Sequence, residues 1–220
     1  MYCPPAYRMA DTAQVHALLR SQPLCWIVRA PAGGLETVAG LSLAADPIPL
    51  MLDAGAGPQG HDLLWGHAAK ANPLSTLPEE GQGALLICQG PSAFVSAQDF
   101  ASKADDPMTV PTYDYVVVQA DVWVRPVRDA LAMRQLMSRL SACMEARAGS
   151  AWRMEDMTPE ALAHMMGHIV GLQVEVLAWQ GKAKLGQRDD ARDRASVAQA
   201  LRRRAGSPAE TAIASMIPQG

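Results

Sequence analysis

The 220-residue sequence predicts an α+β protein, mainly β, in which an antiparallel sheet carries peripheral helices. Three observations carry that class. The first half breaks into apolar runs of strand length separated by Gly-, Pro- and Asp-rich turns. No helix-length segment lies between them, so antiparallel meanders fit better than parallel crossovers. The run YDYVVVQADVWVRPV (113–127) is the most β-branched in the chain. The second half changes period, with apolar residues recurring every three to four positions.

The elements follow in order. Asp11 and Gln14 have the spacing of a cap and its reciprocal partner, and Val15, Leu18 and Leu19 follow at helical intervals, so a short helix ends near Pro23. Strands are expected at 24–30, 35–45, 48–53, 61–67, 84–90 and 93–96, with the β-branched run next at 113–127. Leu131, Leu136, Met137, Leu140, Cys143 and Met144 then mark one face of a helix that ends at Gly149. Thr158 with Pro159 starts another, because Thr caps and Pro suits the first helical position. HIVGLQVEVLAW (168–179) reads as a long late strand that returns to the sheet. A basic helix over about 190–204 comes next, and Ser207, Pro208 and Glu210 repeat the start signal for a last short one. We expect a barrel domain with inserted helices over 1–180 and a basic helical segment over 181–220 packed on it.

Composition narrows the class. Hydrophobic residues make up 49% and charged residues 19%, ordinary for a globular chain able to bury a core. The net charge of −3 excludes a uniformly basic nucleic-acid coat, yet it hides an asymmetry. Between Lys182 and Arg204 eight Lys or Arg stand against three Asp, a net +5 that leaves −8 for the rest. Cysteines at 3, 25, 88 and 143 form no CxxC pair and no metal-ligand spacing, so free thiols are expected, with Cys88 a small core residue. The N-terminus has no basic region followed by an apolar run, and no apolar stretch reaches the roughly 18 residues a membrane span needs. The expected location is the cytoplasm.

One stretch asks for an explanation. After the strand-like LLW at 63–65, GHAAKANP (66–73) turns abruptly polar. It reads either as a solvated connection closed by Asn-Pro or as an anion site, with His67 and Lys70 at i and i+3 and Asn72 a further donor. With QGPSAFVS (89–96), VPTYDY (110–115), IVGLQVEV (169–176) and GKAKLGQR (181–188) it makes five ordered blocks. At this order and spacing nearly the whole chain resembles the PaiB-like FMN-binding negative transcriptional regulators. The resemblance implies an FMN-binding split barrel, a six-stranded antiparallel Greek-key barrel, usually a homodimer with flavin sites at the subunit interface. It implies a phosphate held near His67, Lys70 and Asn72. The isoalloxazine ring then lies between the segment holding Tyr113 and Tyr115 and the residues Lys184, Gln187 and Arg188.

Several positions depart from that pattern. Asp46-Pro47 stands where Thr-His or Asn-His is usual, and a carboxylate near a phosphate dianion repels it. Tyr113 and Asp114 replace Trp and Asn, and Gly186 and Arg188 replace Ser and Asn. The block at 89–100 lacks its usual Ser-Trp-Tyr ending. These changes bear on FMN more than on the fold.

The function expected is therefore a PaiB-like FMN-binding protein, either a negative regulator or a flavin-dependent redox protein. If it is an enzyme it is a flavin-dependent oxidoreductase, since no Ser-His-Asp set, GxGxxG or Walker loop appears. A cofactor-free interaction protein on the same barrel and a haem-binding barrel are the alternatives. No metal site is expected: His164 and His168 lack the Glu of a metalloprotease motif. The basic segment reads as a solvated helix, a cofactor contact or a DNA contact, the last without a supporting motif. Trp26, Trp123 and Trp179 fall in strand-like runs and are expected in the core or a dimer interface.

Overall fold

The computed structural model describes residues 1–30, 43–204 and 206–218. Its elements are α1 (Thr12–Ser21), β1 (Leu24–Arg29), β2 (Ala44–Pro49), β3 (Met51–Asp53), β4 (Leu63–Ala69), β5 (Gln82–Val95), β6 (Thr112–Val127), α2 (Ala130–Ala148), α3 (Pro159–Met166), β7 (Ile169–Lys184), α4 (Ala191–Arg204) and α5 (Pro208–Met216). Seven strands form one sheet in the order β2-β1-β5-β6-β7-β4-β3. Pairing is antiparallel between β1 and both β2 and β5, and between β4 and both β3 and β7. The mainly-β antiparallel class is as the sequence predicts. The strand expected at 35–45 lies mostly outside the described residues, and Ala44 and Ala45 open β2. The runs at 84–90 and 93–96 are one strand, β5.

Two compact units divide the chain. The first holds Met1–Val15, Gln89–Val118 and Gln180–Gly220; the second holds His16–Cys88 and Gln119–Trp179. In the second unit alternation builds the core. Cys25 and Ile27 of β1, Ile48 of β2, Leu64 of β4, Leu86 of β5, Val122 and Val124 of β6 and Leu172 and Val174 of β7 are buried. Only Leu50 separates β2 from β3. Its N–H donates to the Pro23 carbonyl at 2.8 Å, and its side chain is buried. Beside that break β4 has Gly66, where a Cβ would meet the Pro49 carbonyl and Leu50 Cδ2 at 2.8 Å. α2 begins at the cap Asp129, whose carboxylate accepts from Ala132 N–H, buries Met133, Leu136 and Leu140, and stops at Gly149 in the left-handed region (φ 69°). Thr158 caps α3 as expected, accepting from Ala161 N–H.

The expectation of free thiols is corrected for one pair. The register Trp26↔Ile87 sets Cys25 opposite Cys88, with Cα atoms 4.6 Å apart, and the two form a disulfide. They are 63 residues apart in the chain, so only strand register brings them together. Cys3 and Cys143 are free.

In the first unit, α4 buries Val197, Ala198 and Leu201 and α5 buries Ile213 and Ala214. Asp193 on α4 is buried and accepts from the Ser102 N–H and hydroxyl at 2.8 and 2.7 Å. β7 runs five residues past the strand expected at 168–179. Met9 N–H donates to the Gly181 carbonyl at 3.0 Å and Arg8 bridges Lys182, which extends the pairing.

Candidate functional site

The polar stretch after β4 is a turn fixed from several sides. Lys70 N–H donates to the His168 carbonyl at 2.8 Å, and the Ser75 hydroxyl donates to the Lys70 carbonyl at 2.7 Å. Asn72 Oδ1 accepts from Leu74 N–H at 2.8 Å, capping the 3-10 turn that Pro73 opens. The Arg128 guanidinium donates to the carbonyls of Ser75 and Leu77, at 2.7 and 2.9 Å, and pairs with Glu79. The Lys70 backbone is thereby held, while its ammonium group has no partner among the described residues.

That turn forms one side of a cavity of about 830 Å³, with the first turn of α2, α3 and the start of β7 forming the rest. Leu131, Met133, Leu162, Met166 and Val170 give it apolar walls, and Lys70, Arg128 and Arg134 give it positive charge. No acidic side chain lines it among the described residues. Arg128 is committed to the turn; Lys70 and Arg134 are exposed and unpaired among the described residues. The sequence reading missed Arg134. On a helix some sixty residues after Lys70, it gives no local signal that it shares a cavity with that residue.

His67 lies on β4 opposite Gly171 of β7 and does not line this cavity. Burial pushes its pKa below the usual imidazole value, so the ring is neutral at pH 7, and its Nδ1 is buried without a partner. Asn72 Nδ2 donates to Asp46 Oδ1 at 2.8 Å, which commits both ends of its amide. Asp46 points inward beside Ile27, and its other oxygen faces the buried Arg29 guanidinium at 3.9 Å. The carboxylate that the sequence sets against a phosphate is thus held by Asn72 and opposed by a cation.

The other expected site residues lie together in the first unit. Tyr113 is exposed and meets Phe94 edge to face, with ring centroids 5.6 Å apart. Tyr115 is half-buried under Lys182, whose Nζ lies 5.1 Å from its ring centroid. Lys184 Nζ donates to Thr112 Oγ1 and the Tyr113 carbonyl, each at 2.7 Å, and faces Asp114 Oδ1 at 3.4 Å. Gln187 accepts from Leu185 N–H and donates to the Ala183 carbonyl. The Arg188 guanidinium lies 5.3 Å from the Tyr7 ring centroid. Burial raises the carboxyl pKa of Asp114 in spite of Lys184, and burial with nearby Asp193 raises that of Asp189.

Of the eight cations between 182 and 204, seven have partners. Lys182 faces Tyr115, Lys184 holds the Thr112 segment and Arg188 covers Tyr7. Arg192 pairs with Asp105 and Arg204 with Asp99, while Arg194 and Arg202 donate to carbonyls. Only Arg203 is left over among the described residues. The His164 and His168 rings meet edge to face at 4.7 Å, and no group of three or more His, Cys, Asp or Glu among the described residues could hold a metal ion. No helix there is long and apolar enough to cross a membrane.

The family model described as "Putative FMN-binding domain" matches residues 1–178, and the chain belongs to that family. An uncharacterized protein of Emericella nidulans is 24% identical over 226 residues, covering 90% of this chain and 88% of its own. Two solved structures share the fold. The FAD and haem binding protein of Mycobacterium smegmatis is 18% identical with a TM-score of 0.55, over 84% of this chain and 76% of that one. The flavocytochrome Anf3 of Azotobacter vinelandii is 15% identical with a TM-score of 0.54, over 80% of this chain and 69% of that one.

Proposed function

We propose that this protein binds FMN as a PaiB-like flavoprotein, with the phosphate held at the Lys70 end of the second unit's cavity. The observation that carries the reading is an uncompensated lysine at an apolar-walled cavity with no acidic lining among the described residues. That donor chemistry suits a ligand with a dianionic head and a largely apolar body. When bound, the flavin supplies two-electron redox chemistry, so a flavin-dependent oxidoreductase is the enzyme class proposed. The chain's own part is to bind, orient and exclude water. Lys70 holds the charge, Asn72 and Arg128 fix the turn that carries it, and the α2 and α3 side chains cover the apolar body. Neutral His67 acts as a hydrogen-bonding group rather than a cation.

The six-stranded barrel enters the same reading. β2 pairs with β1 and β3 with β4, and one residue separates them. Counted as a single strand bent at Leu50, they close the order of the sheet into a six-stranded ring. A second copy of the chain is proposed to cover the outer face of β1, where Leu24 and Trp26 are 55% and 44% exposed opposite Pro49 and Pro47. The ring contacts proposed for Tyr113, Tyr115, Lys184, Gln187 and Arg188 are then supplied by the second copy, with Tyr113 and Arg188 the two exposed members. Flavin chemistry stands ahead of direct DNA contact because seven of the basic segment's eight cations are already engaged in their own unit.

Charge reversal tests the reading. Lys70→Glu should weaken FMN binding roughly tenfold or more while leaving riboflavin, which lacks the phosphate, nearly unaffected. Equal losses for both ligands in a titration would assign Lys70 to folding or to a ring contact instead.

A further inference from the structure

We infer that Arg134 is a second anion-binding residue of this cavity, and that its ligand is selected as a phosphate monoester held between Lys70 and Arg134. The inference rests on the flavin reading and extends it to a residue in none of the sequence blocks that suggested the site.

Three cations line the cavity, and no acid does so among the described residues. Arg128 has its guanidinium filled by two carbonyls and Glu79. Asp129, the cap of α2, accepts from Ala132 N–H and does not line the cavity. Arg134 also lines a neighbouring cavity of about 580 Å³ that includes Glu155 and Arg139, yet it makes no ion pair with Glu155, and the nearby Asp53 is taken by Arg139 at 2.8 Å. Arg134 is one turn into α2, next to Met133, whose side chain is buried. Its position is therefore set by a packed helix, while its guanidinium is left uncompensated. A lysine on a braced turn and an arginine on a packed helix present two positive charges to one volume. A dianionic phosphate monoester matches that count. A neutral flavin does not use it, and the planar guanidinium suits two phosphate oxygens at once.

The test compares FMN with riboflavin on the wild type, Arg134→Gln and Arg134→Lys, by flavin titration at low ionic strength, with inorganic phosphate as competitor. The wild type should prefer FMN, and phosphate should compete with FMN but not with riboflavin. Arg134→Gln should lower FMN affinity about tenfold with riboflavin unchanged, and Arg134→Lys should recover part of the loss. Because the riboflavin arm reports an intact fold, an unfolded variant cannot imitate this result. If Arg134→Gln keeps the full FMN preference while Lys70→Glu loses it, Arg134 is not a contact and the flavin reading stands. If the wild type binds FMN and riboflavin equally, or binds neither, both proposals fall. If phosphate alone binds as tightly as FMN, the site takes free phosphate and the flavin part is overturned.

Discussion

Lys70 and Asn72 are two residues apart and differ in what they have left to offer. Asn72 uses its amide oxygen on Leu74 N–H and its nitrogen on Asp46, so it shapes the turn and has little capacity for a ligand. Lys70 keeps its ammonium group free among the described residues because its backbone alone is held. The sequence shows all three polar residues of GHAAKANP but not this division, which depends on Asp46 reaching across 26 positions. For the same reason the Asp46-Pro47 departure reads as repulsive in the sequence, whereas Arg29 and Asn72 face that carboxylate in the fold. A second carboxylate leads to a pH prediction. Asp114 is buried, and burial raises its pKa above the ordinary carboxylate range. The folded chain then binds this proton more tightly than the unfolded chain. The group's contribution to stability is greatest below the ordinary carboxylate pKa and is lost as pH rises through its folded value. Asp114→Asn removes that loss, so the variant should gain on the wild type in urea melts as pH rises from the ordinary carboxylate pKa through the folded value. A difference that stays flat or shrinks over that range would mean Lys184 already compensates the charge.

The elements were legible where local chemistry sets them. The caps Thr158 and Ser207 and the stop at Gly149 depend on side chains and a φ value close in sequence, whereas the Asp129 cap of α2 was not read. The alternation of β6 shows directly in its valines. What the sequence hid is long-range: the break at Leu50, the extension of β7 by pairing near the N-terminus, and the Cys25–Cys88 disulfide. The seating of α2 is another such feature. At Gly171 a Cβ would meet Met133 Sδ at 2.7 Å, Leu136 Cδ2 at 2.8 Å and Val127 Cβ at 2.9 Å, so β7 has glycine where the helix comes down on it. Gly171→Ala should push α2 outward, cost about 1–3 kcal/mol of stability and weaken FMN binding, because Arg134 and Leu131 move with the helix. Thermal melts and FMN titration check the two effects together. A variant as stable as the wild type with unchanged affinity would show that α2 yields without carrying the site.

At the scale of the molecule the exposed outer face of β1 calls for a cover. Leu24, Trp26, Pro47 and Pro49 form an apolar strip that alternation would leave to water in a lone chain. The expected species is a dimer. Sedimentation at micromolar concentration should give about twice the 23.5 kDa chain mass, and Trp26→Lys should shift it toward monomer. A folded wild-type monomer would remove the second copy from the proposed site. This family member is proposed to hold a flavin monophosphate. The most direct measurement is the absorption spectrum of the purified protein, joined to the mass of whatever it releases on denaturation. A yellow protein with a band at about 450 nm that releases FMN is expected. A Soret band without flavin, or a colourless protein that takes up no FMN when it is added, would contradict it.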